Sequence, residues 1–205
     1  INKLLTNQSF NILIKKNIPH GSGLGGGSSN AATLLNYFNK NKKLNLNKEK
    51  INKLSQLIGF DVPICLEKRN TFLTGKNREI LRINKNFKLN ILIVYPNLIC
   101  STQKIYKKNK KKSLIKPKPN FNKKKLINIL KNENNDLEKT VIKIYPKIGK
   151  IINFIESQKG CYFSRITGSG SACVGTFSTI SNAIYAKKLI KEKYPNYWCV
   201  VSKTI

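Results

Sequence analysis

Residues 18–32 read Ile18-Pro19-His20-Gly21-Ser22-Gly23-Leu24-Gly25-Gly26-Gly27-Ser28-Ser29-Asn30-Ala31-Ala32, with five glycines and three serines. Before this stretch, Phe10 to Lys15 alternates apolar and polar residues and includes β-branched ones, which predicts a strand. After it, apolar residues recur at helical spacing from Ala31 to Phe38, with Ser28 or Ser29 placed to cap the helix. The sequence therefore predicts a strand, a glycine-rich loop and the start of a helix.

A glycine-rich loop that runs into a helix is suited to binding phosphate. Glycine adopts backbone conformations that other residues avoid, and it lets a ligand approach bare amide groups. The first turn of a helix adds N–H groups without intrahelical partners and the positive end of the helix dipole. We therefore expect phosphate oxygens to bind at residues 18–32.

Other interpretations of this loop fit less well. A flexible turn does not account for so many glycines beside a capped helix. A dinucleotide fingerprint is possible in form, because Gly21, Gly23 and Gly26 satisfy G-x-G-x-x-G. That fingerprint requires an acidic residue about 20 positions later, whereas the next acid is Glu49, within a stretch rich in lysine and asparagine. A P-loop ends in Gly-Lys-Ser/Thr, and here serine follows the last glycine. A triphosphate-binding loop of another kind remains.

Three segments resemble motifs of the GHMP kinases, the family of galacto-, homoserine, mevalonate and phosphomevalonate kinases. Pro19 to Ala32 is similar to the family's second motif, P-x-x-x-G-L-G-S-S-A-A. Gly59-Phe60-Asp61-Val62-Pro63 is similar to a G-A-D-V-P segment, and residues 165–173 to R-x-[ST]-G-[ST]-G-x-C. Weaker similarities are Cys100-Ser101-Thr102 with Tyr106, and Asn135-Asp136-Leu137-Glu138. The three motifs occur in the family's order and spacing, from about residue 10 to the C-terminus.

The resemblance implies an α+β fold with the two-domain architecture of GHMP kinases. Residues 1–86 are expected to form the N-terminal domain, which is ribosomal-protein-S5-like, carries the ATP-binding loop and is incomplete at its start. Residues 87–205 are expected to form the C-terminal domain, a ferredoxin-like α/β sandwich.

The resemblance also implies an ATP-dependent kinase that uses Mg²⁺ and phosphorylates a small molecule. The longer loop G-L-G-G-G-S-S-N-A-A is similar to that of the branch acting on the 2-hydroxyl of a diphosphocytidyl methylerythritol. A kinase of the homoserine or mevalonate type is the alternative. The ATP-binding residues implied are Pro19, His20, Gly21, Ser22, Gly23, Leu24, Gly25, Gly26, Gly27, Ser28 and Ser29. The substrate-binding residues implied are Thr102, Tyr106, Gly168, Ser169 and Gly170. No residue is assigned as a metal ligand.

Asp61 is the candidate catalytic residue, and it is one of only two aspartates in the chain. Its neighbours are apolar, so its carboxylate is expected to lose solvation and to need a partner. An aspartate before Pro63 is also common in plain turns and caps. We favour a base or hydroxyl-orienting group beside the phosphates. The other aspartate, Asp136, is predicted to cap a helix over 137–144.

The chain contains no methionine and begins at Ile1. Removal of an initiator methionine is hindered by a large second residue, so we expect the chain to be a fragment. The resemblance supports this expectation, because family members carry a longer portion before the loop. In family members that portion contains a K-x-N strand whose lysine orients the acceptor hydroxyl. No residue of this chain is assigned that role, so the activity of the fragment stays an open question.

The net charge of +30 invites a nucleic-acid-binding function. However, the lysines are spread along the chain and accompany many asparagines and isoleucines, whose codons are all rich in A and T. Arginine is scarce, with only Arg69, Arg78, Arg82 and Arg165. We therefore attribute the charge to composition and expect no nucleic-acid partner. The charge would still favour anionic nucleotides by steering.

Membrane association, disulfides and a histidine metal site are not expected either. The sequence has no apolar run of 18 residues and no signal-peptide pattern. Its five cysteines are widely spaced and odd in number, which indicates reduced thiols. A lone His20 cannot build a histidine metal site. We expect a cytoplasmic monomer or homodimer.

Hydrophobic periodicity predicts the remaining elements. A lysine-rich stretch over 107–125 is predicted to be a mobile loop. The glycine turn at 167–170 is either a plain hairpin connection or a backbone that closes against phosphate or acceptor. Helices are predicted over 29–38, 48–57, 126–130, 137–145, 147–155 and 180–194, and strands over 71–74, 79–83, 89–95, 163–166, 172–177 and 198–202.

Overall fold

The computed structural model describes residues 10–41, 44–74, 79–83, 87–109 and 123–204. Within these ranges the helices are α1 (Gly26–Asn41), α2 (Lys48–Ile58), α3 (Val62–Cys65), α4 (Thr102–Lys108), α5 (Lys123–Asn132), α6 (Glu138–Ile144), α7 (Pro146–Glu156) and α8 (Ile180–Lys193). The strands are β1 (Thr71–Thr74), β2 (Glu79–Arg82), β3 (Asn90–Tyr95), β4 (Cys161–Ile166), β5 (Cys173–Phe177) and β6 (Trp198–Lys203).

The C-terminal half is built on a four-stranded antiparallel sheet with strand order β4-β5-β3-β6. The central strand β3 pairs with β5 on one side and β6 on the other, so that Val94 faces Cys173 and Cys199 in the register. Along the chain the elements run strand, helices, two strands, helix and strand. This is the ferredoxin-like arrangement, and it confirms the architecture expected for the C-terminal half.

Helices α7 and α8 pack on this sheet and form the main core with it. Apolar residues recur at helical spacing on the buried face of α7, from Ile148 to Ile155. They meet Leu92 and Val94 of β3 and Phe177 of β5, all less than 2% exposed. Full burial of each such side chain stabilises the fold by roughly 1.5–3 kcal/mol. The strands on either side of the β4–β5 connection are therefore part of the buried core.

The N-terminal half packs three helices and a two-stranded hairpin. Helix α1 buries Ala32, Leu35 and Phe38, and it packs against α2 and α3. Strands β1 and β2 pair antiparallel, with Thr71 opposite Arg82. The predicted helix over 48–57 and the predicted strands over 71–74 and 79–83 are confirmed, although the turn between these strands lies outside the described residues.

The predicted strand over Phe10–Lys15 is wrong. These residues adopt no regular structure, and Leu13 is 97% exposed. Alternating hydrophobicity produces a strand only where a neighbouring strand completes the hydrogen-bond ladder. No strand in the described part of the chain pairs with this segment.

Two predicted caps are also wrong. Helix α1 begins at Gly26, so Ser28 and Ser29 lie inside its first turn rather than before it. Helix α6 follows Leu137, which occupies the cap position without a side-chain cap, so Asp136 does not hold the cap position predicted for it. The N–H of Leu137 donates to Oδ1 of Asn135 at 3.0 Å in the turn before the helix.

Helices α3 and α4 were not predicted. Helix α3 is a single turn of four residues, too short to show helical periodicity, and the end of α4 overlaps the lysine-rich stretch predicted to be a loop. Most of the predicted loop over 107–125 lies outside the described residues. Its first residues end α4 and its last begin α5. Among the helices that the structure describes, none is long and apolar enough to cross a membrane.

Candidate active site

The glycine-rich loop and the start of α1 line an open cavity of about 470 Å³. It is lined by residues 15–28 and by Asn30, a set that includes every predicted ATP-binding residue except Ser29. Lys15 and Lys16 also line it, which the sequence analysis did not predict, although two adjacent lysines just before the loop were a visible signal. None of the described residues lining the cavity carries a carboxylate. The cavity is therefore suited to an anion.

The first turn of α1 presents main-chain N–H groups to this cavity. The first hydrogen bond of the helix runs from the N–H of Ser29 to the carbonyl of Gly25, at 3.0 Å. The N–H groups of Gly26, Gly27 and Ser28 consequently have no partner within the helix. No acidic residue lies in this turn. Unpartnered donors and the positive end of a 16-residue helix together favour phosphate binding.

The space above these glycines is open. A Cβ built on Gly25, Gly26 or Gly27 would meet no heavy atom within 4 Å. Packing within the protein therefore does not require glycine at position 26, and its φ lies outside the left-handed region. Glycine at position 26 is explained instead by a ligand that approaches the main chain closely.

Gly23 has a different role, because it contacts the β4–β5 turn. A Cβ at Gly23 would lie 2.4 Å from the carbonyl oxygen of Thr167 and 2.8 Å from that of Gly170. The hydroxyl of Thr167 donates to the carbonyl of Gly23 at 2.9 Å, and the N–H of Ala172 donates to the carbonyl of Ser22 at 3.0 Å. These contacts join the glycine-rich loop to the third resembling motif, 144 residues away along the chain.

We expect Gly23→Ala to destabilise the protein. The left-handed backbone at φ +77° costs a non-glycine residue about 1–2 kcal/mol, and the clash with two carbonyl groups adds to that cost. Urea unfolding followed by circular dichroism measures the loss, with Gly27→Ala as the control that meets no neighbouring atom. An unchanged free energy of unfolding for Gly23→Ala would contradict the loop–turn contact.

Two of the predicted ATP-binding residues hold the loop through hydrogen bonds within the protein. The Ser22 side chain is 3% exposed and its hydroxyl donates to the carbonyl of Pro19 at 2.7 Å. The hydroxyl of Tyr95 donates to the carbonyl of His20 at 3.4 Å. The Ser22 hydroxyl is thus committed to shaping the loop.

The end of β4 and the turn after it are held by Glu138 of α6 and by Asn135, which precedes this helix. The side-chain amide of Asn135 donates to the carbonyl of Gly168 at 2.8 Å, and Glu138 accepts from the N–H of Ile166 at 2.8 Å. Burial raises the pKa of the Glu138 carboxyl above its ordinary value, against the opposing effects of that N–H and of Arg165. The weakly resembling segment 135–138 therefore has a structural partner in the third motif.

The predicted substrate-binding residues lie partly together. The hydroxyls of Thr102 and Ser169 share a hydrogen bond of 2.8 Å, and Gly168 and Gly170 flank Ser169 in the same turn. Tyr106 lies one turn along α4 and is 62% exposed. None of these described residues lines the cavity. Gly168 and Gly170 adjoin it through their contacts with Gly23.

Asp61 lies immediately before α3, and its side chain is exposed. The expectation that this carboxylate is desolvated is therefore wrong. Its neighbours Val62 and Pro63 turn inward while Asp61 remains at the surface. The structure does not place Asp61 among the described residues lining the cavity, and its side chain does not cap α3. Its catalytic role stays a prediction.

Cysteine and metal chemistry are not indicated at this site. All five cysteines lie in the described ranges and are free. Burial raises the pKa of Cys100, Cys161 and Cys199 to about 11, so these thiols are protonated at neutral pH. Among the residues that the structure describes, no group of three or more His, Cys, Asp or Glu side chains could hold a metal ion.

Two family models match this chain. "GHMP kinases N terminal domain" matches residues 1–69, and "GHMP kinases C terminal" matches residues 118–196.

Curated relatives match over nearly the whole chain. The 4-diphosphocytidyl-2-C-methyl-D-erythritol kinase of Pelagibacter ubique (strain HTCC1062) is 38% identical over 205 residues, which cover 99% of this chain and 72% of the relative. The kinase of the same name from Chelativorans sp. (strain BNC1) is 30% identical over 196 residues, covering 94% of this chain and 67% of the relative.

Solved structures share the fold. A crystal structure of 4-(cytidine 5'-diphospho)-2C-methyl-D-erythritol kinase aligns with a TM-score of 0.70 at 22% identity, covering 91% of this chain and 68% of that one. The homoserine kinase of Cytophaga hutchinsonii ATCC 33406 aligns with a TM-score of 0.68 at 13% identity, covering 93% and 68%.

Proposed function

This chain belongs to the GHMP kinase family, and from that premise we propose that it transfers the γ-phosphoryl group of ATP to the 2-hydroxyl of 4-diphosphocytidyl-2-C-methyl-D-erythritol. The reaction belongs to the methylerythritol phosphate route to isoprenoid precursors. The choice of acceptor is supported by the names of the relatives, which carry it at 38% and 30% identity.

The observation that carries the proposal is the cavity at the N-terminus of α1. Three main-chain N–H groups without intrahelical partners, the helix dipole and two lysines converge on a space that holds no carboxylate among its described lining residues. A triphosphate matches this arrangement, because each phosphate oxygen can accept from an N–H group while the lysines balance its charge.

Phosphoryl transfer depends on positioning and on stabilisation of charge rather than on covalent chemistry by the protein. In our proposal the amides of residues 25–29 hold the phosphates. Asp61 accepts or orients the proton of the attacking hydroxyl. The turn that contains Gly168, Ser169 and Gly170 lies over the reacting groups, and its contacts with Gly23 support this placement. Thr102 and Tyr106 contact the cytidyl end of the substrate.

Magnesium enters this proposal as part of the nucleotide. Mg²⁺ in kinases is held by one or two carboxylates together with substrate phosphates. The described residues that line the cavity offer no carboxylate, so the residues present do not form a magnesium site on their own. We therefore assign Mg²⁺ to the ATP complex and derive no step from it.

A second candidate is another small-molecule kinase of the same family. The fold similarity to homoserine kinase, at a TM-score of 0.68, is nearly as high as that to the diphosphocytidyl alcohol kinase. The cytoplasmic location and the monomeric or dimeric state remain predictions.

A substrate panel tests the proposal. The protein is incubated with ATP and Mg²⁺ and with the diphosphocytidyl alcohol, homoserine or mevalonate, while ADP release and the product mass are measured. We expect phosphorylation of the diphosphocytidyl alcohol alone. Phosphorylation of homoserine or mevalonate instead would establish the second candidate. ATP-independent, steeply salt-dependent binding to any DNA, without kinase activity, would overturn both and favour a nucleic-acid-binding module.

A further inference from the structure

The guanidinium group of Arg82 contacts the segment that follows Asp61. Nη2 of Arg82 donates to the carbonyl of Pro63 at 2.6 Å, and Nη1 donates to the carbonyl of Ile64 at 2.9 Å. These carbonyls lie two and three residues after Asp61, although Arg82 itself is on β2, at least 18 residues further along the chain. One side chain thus holds two consecutive peptide groups beside the candidate catalytic carboxylate.

Helix α3 needs such support because it has only four residues, Val62–Cys65. A single turn satisfies few of its own carbonyl groups. The hydrogen bonds at its two ends are long, from the N–H of Val62 to the carbonyl of Gly59 at 3.2 Å and from that of Leu66 to the carbonyl of Pro63 at 3.4 Å. Asp61 adds no capping hydrogen bond from its side chain. The orientation of Asp61 therefore depends on groups outside the turn.

Arg82 is itself fixed. Its Nη1 also donates to the hydroxyl of Thr71 at 2.7 Å, its Nε lies 3.9 Å from a carboxylate oxygen of Glu67, and its side chain is only 13% exposed. A guanidinium group donates in a planar fork of fixed geometry. It can therefore act as a rigid link between the β1–β2 hairpin and α3.

The same turn is tied to the helix that begins at the cavity. The side-chain amide of Asn36 on α1 donates to the carbonyl of Leu66 at 3.0 Å, and α1 packs against α3. The first turn of α1 presents its N–H groups to the cavity. A displacement of α3 would therefore change the position of Asp61 relative to those N–H groups.

We propose that Arg82 is a positioning residue for Asp61, which holds the peptide groups of Pro63 and Ile64 so that the Asp61 carboxylate keeps one orientation relative to the start of α1. This inference rests on the proposed function. It assigns Arg82 no contact with ATP or acceptor, and its effect on turnover passes through Asp61.

The kinetic test compares three variants. We expect Arg82→Ala to lower kcat about 10- to 100-fold, because small misplacements of catalytic groups have effects of that order. The KM for ATP should change less than about threefold, since the nucleotide cavity is not altered. Arg82→Lys keeps the charge but loses the fork, so it should also be slow. Arg69→Ala is the matched control, because Arg69 lies 3.8 Å from the same Glu67 but is 54% exposed. It should retain wild-type kcat.

A double-mutant cycle separates positioning from a general structural effect. In an Asp61→Asn background, Arg82→Ala should lower kcat no further, because the group that it positions is already lost. Equal losses of kcat in both backgrounds, or a wild-type kcat for Arg82→Ala, would overturn the inference while leaving the proposed function intact. Wild-type turnover of Asp61→Asn itself would overturn both the role of Asp61 and the inference.

Hydrogen exchange tests the inference without an activity assay. The N–H groups of Val62 and Leu66 close the turn, so peptides over 59–67 should exchange faster in Arg82→Lys than in Arg69→Ala, while peptides over 26–41 remain unchanged. This measurement also applies if Arg82→Ala does not fold. Equal exchange over 59–67 in the two variants would contradict the link between Arg82 and α3.

Discussion

Asp61→Asn is expected to lower kcat by about 10²–10⁴-fold, the usual contribution of a positioned general acid or base. Asparagine keeps the size of the side chain but cannot take up a proton from the acceptor hydroxyl at neutral pH. Asp61 does not line the cavity in the described part of the chain. ATP affinity should therefore stay nearly unchanged, and single-turnover kinetics together with ATP titration measure the two quantities separately.

The matched control for this variant is Glu49→Gln. It exchanges a carboxylate for an amide on the surface of α2, where Glu49 pairs with Lys53 at 2.7 Å, and it should retain wild-type turnover. The side chain of Asp61 is exposed. Substitution of an ordinary exposed residue would leave kcat unchanged, so a large loss of kcat is a strict test of the catalytic role. Wild-type kcat for Asp61→Asn would show that the similarity of residues 59–63 to the family motif does not extend to catalysis.

Gly26→Val is expected to abolish detectable ATP binding while the protein remains folded. The branched side chain would occupy the open space over the first turn of α1, where a Cβ meets no protein atom within 4 Å. It would also block access to the neighbouring N–H groups. Titration calorimetry with a non-hydrolysable ATP analogue measures binding, and thermal unfolding without nucleotide reports on the fold.

Gly26→Ala provides a graded comparison. Alanine in place of glycine, where the backbone conformation is open to both, stabilises a protein by about 0.4–1 kcal/mol by restricting the unfolded chain, so this variant should unfold at the same or a higher temperature while binding the analogue more weakly. Opposite changes in stability and in affinity would indicate that glycine at this position serves the ligand. Unaltered affinity in both variants would contradict binding at the start of α1.

The sequence was sufficient to predict most of the regular elements. The isoleucines of α7 recur at helical spacing and indeed form the core against the sheet. A glycine-rich loop followed by a helix is confirmed, because the glycines and the periodicity of α1 are local features of the sequence; these residues line a cavity, and ATP binding there stays a prediction. In both cases the decisive information lies within one segment.

The features that sequence analysis missed depend on segments that are distant along the chain. The Phe10–Lys15 strand was predicted from alternation and β-branched residues within the segment, and whether it forms depends on a partner strand. Ser22 was assigned to the nucleotide, yet its hydroxyl donates to a carbonyl three residues back. Arg82 was one arginine among four, and its importance became visible only when folding placed it against α3.

The most direct test of phosphate binding at the start of α1 is the amide NMR spectrum of the protein during titration with a non-hydrolysable ATP analogue. We predict large, saturable shifts of the Gly26, Gly27 and Ser28 N–H resonances, since these groups gain charged acceptors. The N–H of Ser29 should shift less, because it already donates to Gly25. Saturable binding that leaves the Gly26, Gly27 and Ser28 resonances unmoved would contradict this account.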